Sequence, residues 1–213
     1  TANAIAYQKA IPIFIDSEME TWNMCPILLR EAIVSRIAQG KKPKALLLVH
    51  LYGMPSKMDE ILAVCTEFNI PIIEDSAEAL GATYKGQKMG TFGTLGAYSF
   101  NGNKIITTSG GGALISEDKA MIDQSRFLAT QARDDAPHYE HSHIGYNYRM
   151  SNITAGIGRG QLQVLDKHIA LRRANNLRYQ SIFKAYDFIT VFKEPTADYF
   201  SNHWLSCILV NEN

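Results

Sequence analysis

The chain has 213 residues, 46% of them hydrophobic and 20% charged, a balance that belongs to globular proteins and sets aside disordered, fibrous and membrane-embedded classes. Lysine plus arginine and aspartate plus glutamate each number 21, for a formal net charge of zero, so no basic stripe is present to neutralise a nucleic-acid backbone. Cys25, Cys65 and Cys207 lack disulfide or zinc spacing and fit a reducing cytoplasm. No apolar run approaches the roughly 20 residues that cross a bilayer, and the expectation is a cytoplasmic protein. Beginning at Thr1 without an initiator Met and stopping at Asn213 just after an apolar stretch, the chain reads as an internal piece of a longer protein.

In chain order, Ala45 to His50 (ALLLVH) is a short apolar run of the kind a parallel strand shows when buried on both faces. Pro55 and Ser56 punctuate the chain, and Ser56 with Asp59 three residues later predicts a helix start. Met58, Ile61, Leu62, Cys65 and Phe68 then fall on one side of a helix, with Asp59, Glu60 and Glu67 facing water. A second strand, Ile70 to Ile73, ends in Glu74 and Asp75. Such β-α-β units cross over right-handed into a mostly parallel sheet, and ligands collect beyond the carboxyl ends of the strands, where Asp75 is placed.

A Gly-rich hairpin-like stretch (81–93) follows, then a strand from Gly96 to Phe100, a polar turn holding Lys104, three glycines, and strand-like Ala113 to Ile115. Ser116 is expected to cap a helix carrying Glu117 and Asp118 in its first turn. From Ser151 to Tyr186 the pattern predicts one helix of about 35 residues, beyond the usual globular length and suited to leading into a second domain. Trp204 to Val210 reads as a strand.

Lys104 stands out by its surroundings. Ser99-Phe100-Asn101-Gly102-Asn103 precede it at a strand end and Thr107-Thr108-Ser109-Gly110-Gly111-Gly112 follow, so small and hydroxyl residues on both sides can close donors around a phosphate. An amine beside a phosphate cradle, downstream of a strand-terminal carboxylate, meets the needs of pyridoxal phosphate. Its aldehyde requires a nucleophilic amine, and its pyridine nitrogen keeps a proton best beside an acid such as Asp75.

These residues resemble the DegT/DnrJ/StrS sugar aminotransferases, and within them the PglE-like enzymes that aminate carbon 4 of a UDP-linked 4-keto-6-deoxy sugar. The stretches that carry the resemblance are VHLYGMPSKMDEIL (49–62), IEDSAEALGATYKG (73–86), GTFGTLGAYSFNGNKIITTSGGGALIS (90–116) and GYNYRMSNITAGIGRGQL (145–162). The resemblance implies an aspartate-aminotransferase-like (fold type I) α/β large domain over residues 1–150 with its N-terminal part missing, a linking helix over 151–186, and the beginning of a small C-terminal domain over 187–213. It also implies that Lys104 forms the Schiff base with pyridoxal 5'-phosphate, that Asp75 pairs with the pyridinium, and that Ser99 bonds the phosphate. Glu78 falls near the ring hydroxyl, where many relatives have Gln or His. Asn147 would reach the phosphate of a neighbouring subunit, so a homodimer with shared sites is expected. The implied reaction moves an amino group, from glutamate as in the family, to a nucleotide-linked keto-deoxy sugar for surface glycan or polysaccharide synthesis.

Other features read more plainly. Gly156 to Gly160 (GIGRG) lies in a helical pattern rather than after a strand, so close helix packing accounts for it better than a dinucleotide fingerprint. His138, His141 and His143 belong to a polar loop without a matching carboxylate or thiolate set. Lys167 to Arg178 reads as a solvated basic helix face, and Arg149 suits either an anionic substrate or an ion pair. Two other functions remain open: a pyridoxal-phosphate sugar dehydratase, against which Lys104 argues because those relatives place His there, and a cofactor-binding piece without turnover.

Overall fold

A computed structural model describes residues 1–211. Strand β1 (Leu46–Val49) leads through helix α3 (Met58–Glu67) to strand β2 (Ile72–Asp75), preceded in the chain by helices α1 (Ala2–Tyr7) and α2 (Pro26–Ala38). The β3–β4 hairpin (Thr83–Tyr84, Gln87–Lys88) precedes β5 (Leu95–Ser99) and β6 (Gly112–Ile115). The main sheet has the order β1-β2-β5-β6, with β1, β2 and β5 parallel and β6 antiparallel to β5. It is the mixed, mostly parallel α/β sheet that the apolar runs and the β-α-β unit predict.

Leu29 and Ile33 of α2, Met58, Ile61, Val64 and Cys65 of α3, and Leu46, Leu48 and Ile72 of the strands form one buried cluster. The amphipathic face read from the sequence therefore settles onto β1 and β2. Burying side chains of this size stabilises by roughly 1.5–3 kcal/mol each. A second, smaller cluster of Ile105, Ile169 and Trp204, flanked by Tyr52, Leu80 and Leu165, lies beneath the Lys104 turn.

Four local expectations are corrected. Ser56 caps nothing: Lys57 is the N-cap of α3, because the Ser56 hydroxyl is taken by the Val49 carbonyl and the His50 ring, each at 3.0 Å. Ser116 likewise donates to Thr94 O at 2.6 Å, and Asp118 caps α4 (Lys119–Ala129) by accepting from the Ala120 and Met121 amides. Both serines satisfy nearby carbonyls instead of helix ends.

The long helix is two helices, α5 (Asn152–Leu162) and α6 (Leu165–Phe183). Three glycines weaken the end of α5. The Gln163 and Val164 amides tighten onto the Gly160 and Gln161 carbonyls. Leu165 and Ile169 then turn toward Gly81, where a Cβ would meet Ile169 Cδ1 at 2.4 Å. Gly158 packs against Thr108, its absent Cβ only 3.1 Å from a methyl, so the GIGRG stretch serves close helix packing.

The C-terminal residues form β7 (Ile189–Val191), β8 (Tyr199–Phe200) and β9 (Ile208–Val210). Trp204 lies outside any strand because its backbone amide is held by the Asn202 side chain at 2.8 Å, and only the end of the expected 204–210 strand is extended. β7 pairs with β9, while β8 joins the hairpin in the order β4-β3-β8.

Candidate active site

Alternation along β2 separates two neighbouring acids. Ile72 and Glu74 point into the core, and Ile73 and Asp75 point the other way and stay half-buried. The Asp75 carboxylate, at the C-terminal end of the parallel strands, accepts from the Thr1 hydroxyl at 2.5 Å and from the Ala77 amide at 3.3 Å. The Thr1 ammonium lies 4.0 Å from it, and no Lys or Arg side chain among the described residues pairs with it.

Glu78 lies three residues on. One of its oxygens accepts the Tyr52 amide at 2.7 Å, and the other lies 3.4 Å from Lys104 Nζ. Tyr52 adopts φ 57 in the 3-10 turn Leu51–Gly53, a left-handed conformation costly to a bulky residue. Gly53 follows at φ +82, where a Cβ would come within 1.9 Å of Asn202 Oδ1, so only glycine lets that chain approach.

Lys104 sits in the turn after β5. Its amide bonds Asn101 O at 3.0 Å, and Thr108 N and Thr107 Oγ1 bind the Phe100 carbonyl. The amine lies 4.4 Å from the centroid of the Trp204 ring, and the indole N–H donates to Asn103 O at 2.7 Å. Ser99 ends β5, its Oγ accepting the Asn101 amide at 3.3 Å. A cavity of about 330 Å³ opens beside the turn, lined by Lys104, Thr107, Gln161, His168 and Arg172 among others; Asp75 does not line it.

Asp75, Glu78, Ser99 and Lys104 thus belong to one rim, at the ends of β2 and β5 and the turns that follow, and Glu78 and Lys104 touch. Asn147 does not join them by any hydrogen bond: it is exposed and bridges to Thr130. An amine, an acid free of basic side chains, and a hydroxyl at a strand tip form a donor set that fits pyridoxal phosphate.

Sequence reasoning missed the groups beneath the rim. His50 and Glu74 are fully buried with Nε2 and Oε2 3.0 Å apart, and His50 Nδ1 meets Ser56 Oγ. Glu74 also accepts the Gly90, Phe92 and Gly93 amides at 2.7, 2.6 and 2.6 Å. Burial alone would raise its carboxyl, but the His50 contact and the backbone donors outweigh that and hold it below the usual carboxylate range. The hydroxyl, imidazole and acid have the order of a hydrolytic triad, yet all three are sealed from solvent and act as a strut. The signal that could have found it was Glu74 falling in phase with Ile72.

The basic face of α6 is not wholly solvated. Arg173 donates to Glu194 at 2.5 Å and to Ser201 O at 2.6 Å, and Arg172 donates to Trp204 O at 3.3 Å, so both arginines dock the C-terminal segment. Burial alone would raise the Glu194 carboxyl; the contacts of His203 and Arg173 outweigh it and hold it at about 2, against an ordinary 4.5. Because the folded value is depressed, the stabilisation, on the order of 3 kcal/mol, is complete above about pH 4.5 and lost as pH falls toward 2. Urea midpoints measured between pH 6 and pH 2 are expected to drop across that window. Glu194→Gln should flatten the drop, and a variant whose acid limb matches the parent's would remove Glu194 from this role.

His138, His141 and His143 turn to different partners, namely Glu140, the Gln131 carbonyl and Ser142. No helix among the described residues is long and apolar enough to cross a membrane.

The mixed, mostly parallel α/β sheet has the architecture of fold-type-I aminotransferases. The chain belongs to the DegT/DnrJ/EryC1/StrS aminotransferase family, whose profile matches residues 1–213. It is 51% identical over 211 residues to EpsN of Bacillus subtilis (strain 168), covering 99% of this chain and 54% of that protein. To the GDP-perosamine synthase of Escherichia coli O157:H7 it is 40% identical over 209 residues, covering 98% and 55%. A DegT DnrJ EryC1 StrS aminotransferase crystal structure from Brucella abortus superposes with a TM-score of 0.89 at 29% identity, covering 97% of this chain and 55% of that one. Spr1654 of Streptococcus pneumoniae in its PLP-form gives 0.86 at 27%, covering 98% and 57%. The chain therefore spans about half the length of the relatives it matches.

Proposed function

We propose that the whole protein is a pyridoxal-phosphate-dependent sugar aminotransferase that moves an amino group from glutamate to a nucleotide-linked keto-deoxy sugar in surface glycan or polysaccharide synthesis. The observation that carries this reading is the Lys104 amine turned to Glu78 at the strand-end rim that also holds Asp75. The GDP- and UDP-linked sugars in the names of relatives support the substrate class and leave the nucleotide open.

When bound, pyridoxal phosphate supplies the electron sink that stabilises a carbanion. Lys104 would hold the cofactor's aldehyde and, once released, carry the proton at the donor's α-carbon as base and then acid. Asp75 would keep the proton on the pyridine nitrogen, Ser99 would donate to the phosphate, and Glu78 would orient the amine beside the ring hydroxyl. Asn147, exposed on its bridge to Thr130, would reach the phosphate site of a second copy in a homodimer. In this reading residues 1–150 carry the site, 151–186 link, and 187–213 begin a smaller domain.

The test is direct. Full-length protein given pyridoxal phosphate should turn yellow, lose the visible band on adding glutamate, and regain it with a nucleotide keto sugar while the aminated sugar accumulates. Unchanged absorbance on adding glutamate would refute the donor assignment. Asp75→Asn is expected to retain the cofactor yet slow the glutamate half-reaction about 10²–10⁴-fold, read by stopped-flow absorbance; a rate within threefold of the parent's would take the pyridine role from Asp75.

A further inference from the structure

The residues Ser201 to Trp204 come from the far end of the chain, yet all four are buried, and they embrace the rim from below. Asn202 Nδ2 donates to the Glu78 and Leu80 carbonyls at 2.7 and 3.0 Å while its Oδ1 receives the Trp204 amide. The Trp204 indole donates to Asn103 O and presents its face to the Lys104 amine. Glu78 Oε1 lies 3.4 Å from the same amine. The side chains of Lys104 and Glu78 are only 13% and 19% exposed, so water competes weakly for the cation.

Resting on the proposed function, we infer that Trp204 is a positioning residue that seats the free ammonium of Lys104. A ring face attracts the ammonium and has far less to offer the neutral amine. Carboxylate and indole face together therefore hold the ammonium in its unlinked position, which it must leave when the cofactor is captured. In that capture the lysine nitrogen bonds the aldehyde carbon, the aldehyde oxygen leaves as water, and the extra ammonium proton goes to solvent. Each increment of attraction by the ring holds the amine back from the aldehyde. The seat holds Lys104 at the rim, aimed at the site, until the cofactor arrives.

Truncating Trp204 would also remove part of the core, so the test keeps its shape. In the full-length protein, mono-, di- and trifluorotryptophan placed at position 204 leave the indole N–H and the packing intact while draining negative charge from the ring face. The rate at which the visible band grows after adding pyridoxal phosphate to cofactor-free protein should rise with each fluorine, by roughly tenfold across the series. A merely structural tryptophan gives the same rate throughout. A flat or falling series on a normal band overturns the inference alone. A parent protein with no band that depends on Lys104 overturns the proposed function and the inference with it.

Discussion

Lys104→Ala is expected to leave a folded protein that binds pyridoxal phosphate weakly, shows no Schiff-base band in the visible, and transfers no measurable amino group. The substitution removes the amine proposed to hold the aldehyde and to shuttle the α-proton, and proton transfer alone accounts for about 10²–10⁴-fold in rate. Stability should change little, by about 1 kcal/mol, because the Glu78 contact is a long, partly buried 3.4 Å pair whose carboxylate keeps the Tyr52 amide and the backbone of the turn is held by Asn101, Phe100 and Thr108 rather than by the amine. The measurement is a visible scan with added cofactor beside a thermal melt. A yellow band that survives the substitution unchanged would show that another amine holds the cofactor, while a collapsed melt would mean that Lys104 supports the fold. Lys104→Arg sharpens the comparison: it keeps a cation near Glu78 and Trp204 but offers no amine for a Schiff base, so it should match the alanine variant in absorbance.

The parts of the fold that were legible in the sequence are those where one local pattern decides the outcome. ALLLVH had to be a buried parallel strand, and the 3.6-residue spacing of Met58, Ile61 and Cys65 had to face it, so the β-α-β unit and the address of Asp75 followed. The turn that holds Lys104 was legible because glycines and hydroxyls crowd it. What escaped was set by contacts outside the local pattern. Ser56 and Ser116 look like helix caps until a carbonyl from a neighbouring strand end takes each hydroxyl. The break at Gln163 and Val164 depends on Leu165 and Ile169 turning toward Gly81, a contact more than 80 positions away along the chain. Trp204 lies about 100 residues from Lys104, and no spacing rule connects them. The pairing of Glu74 with His50, across two parallel strands, is of the same kind: a buried acid declares its partner only when the sheet is assembled.

That buried acid carries the largest expected effect on stability. Glu74→Ala deletes the acceptor of three backbone amides and leaves His50 facing an empty site, with Glu74, His50 and Gly90 buried and Phe92 and Gly93 partly so. Each unsatisfied buried donor costs about 1–3 kcal/mol, and breaking a buried pair by removing one partner costs about 3–5 kcal/mol. The groups share one cavity, so the terms overlap, and the expected loss is about 4 kcal/mol in urea unfolding. Glu74→Gln should fall between, near 2 kcal/mol, because an amide oxygen can still accept some of the Gly90, Phe92 and Gly93 donors while its NH₂ group cannot. Asp75→Ala, one residue away on the opposite side of the strand, should cost under about 1 kcal/mol, since its contacts are with the Thr1 hydroxyl and ammonium and a single amide. The contrast between adjacent carboxylates is the discriminating result. Equal losses at both positions would mean that the alternation along β2 does not divide a supporting acid from a working one, and the assignment of Asp75 to chemistry would lose its structural basis.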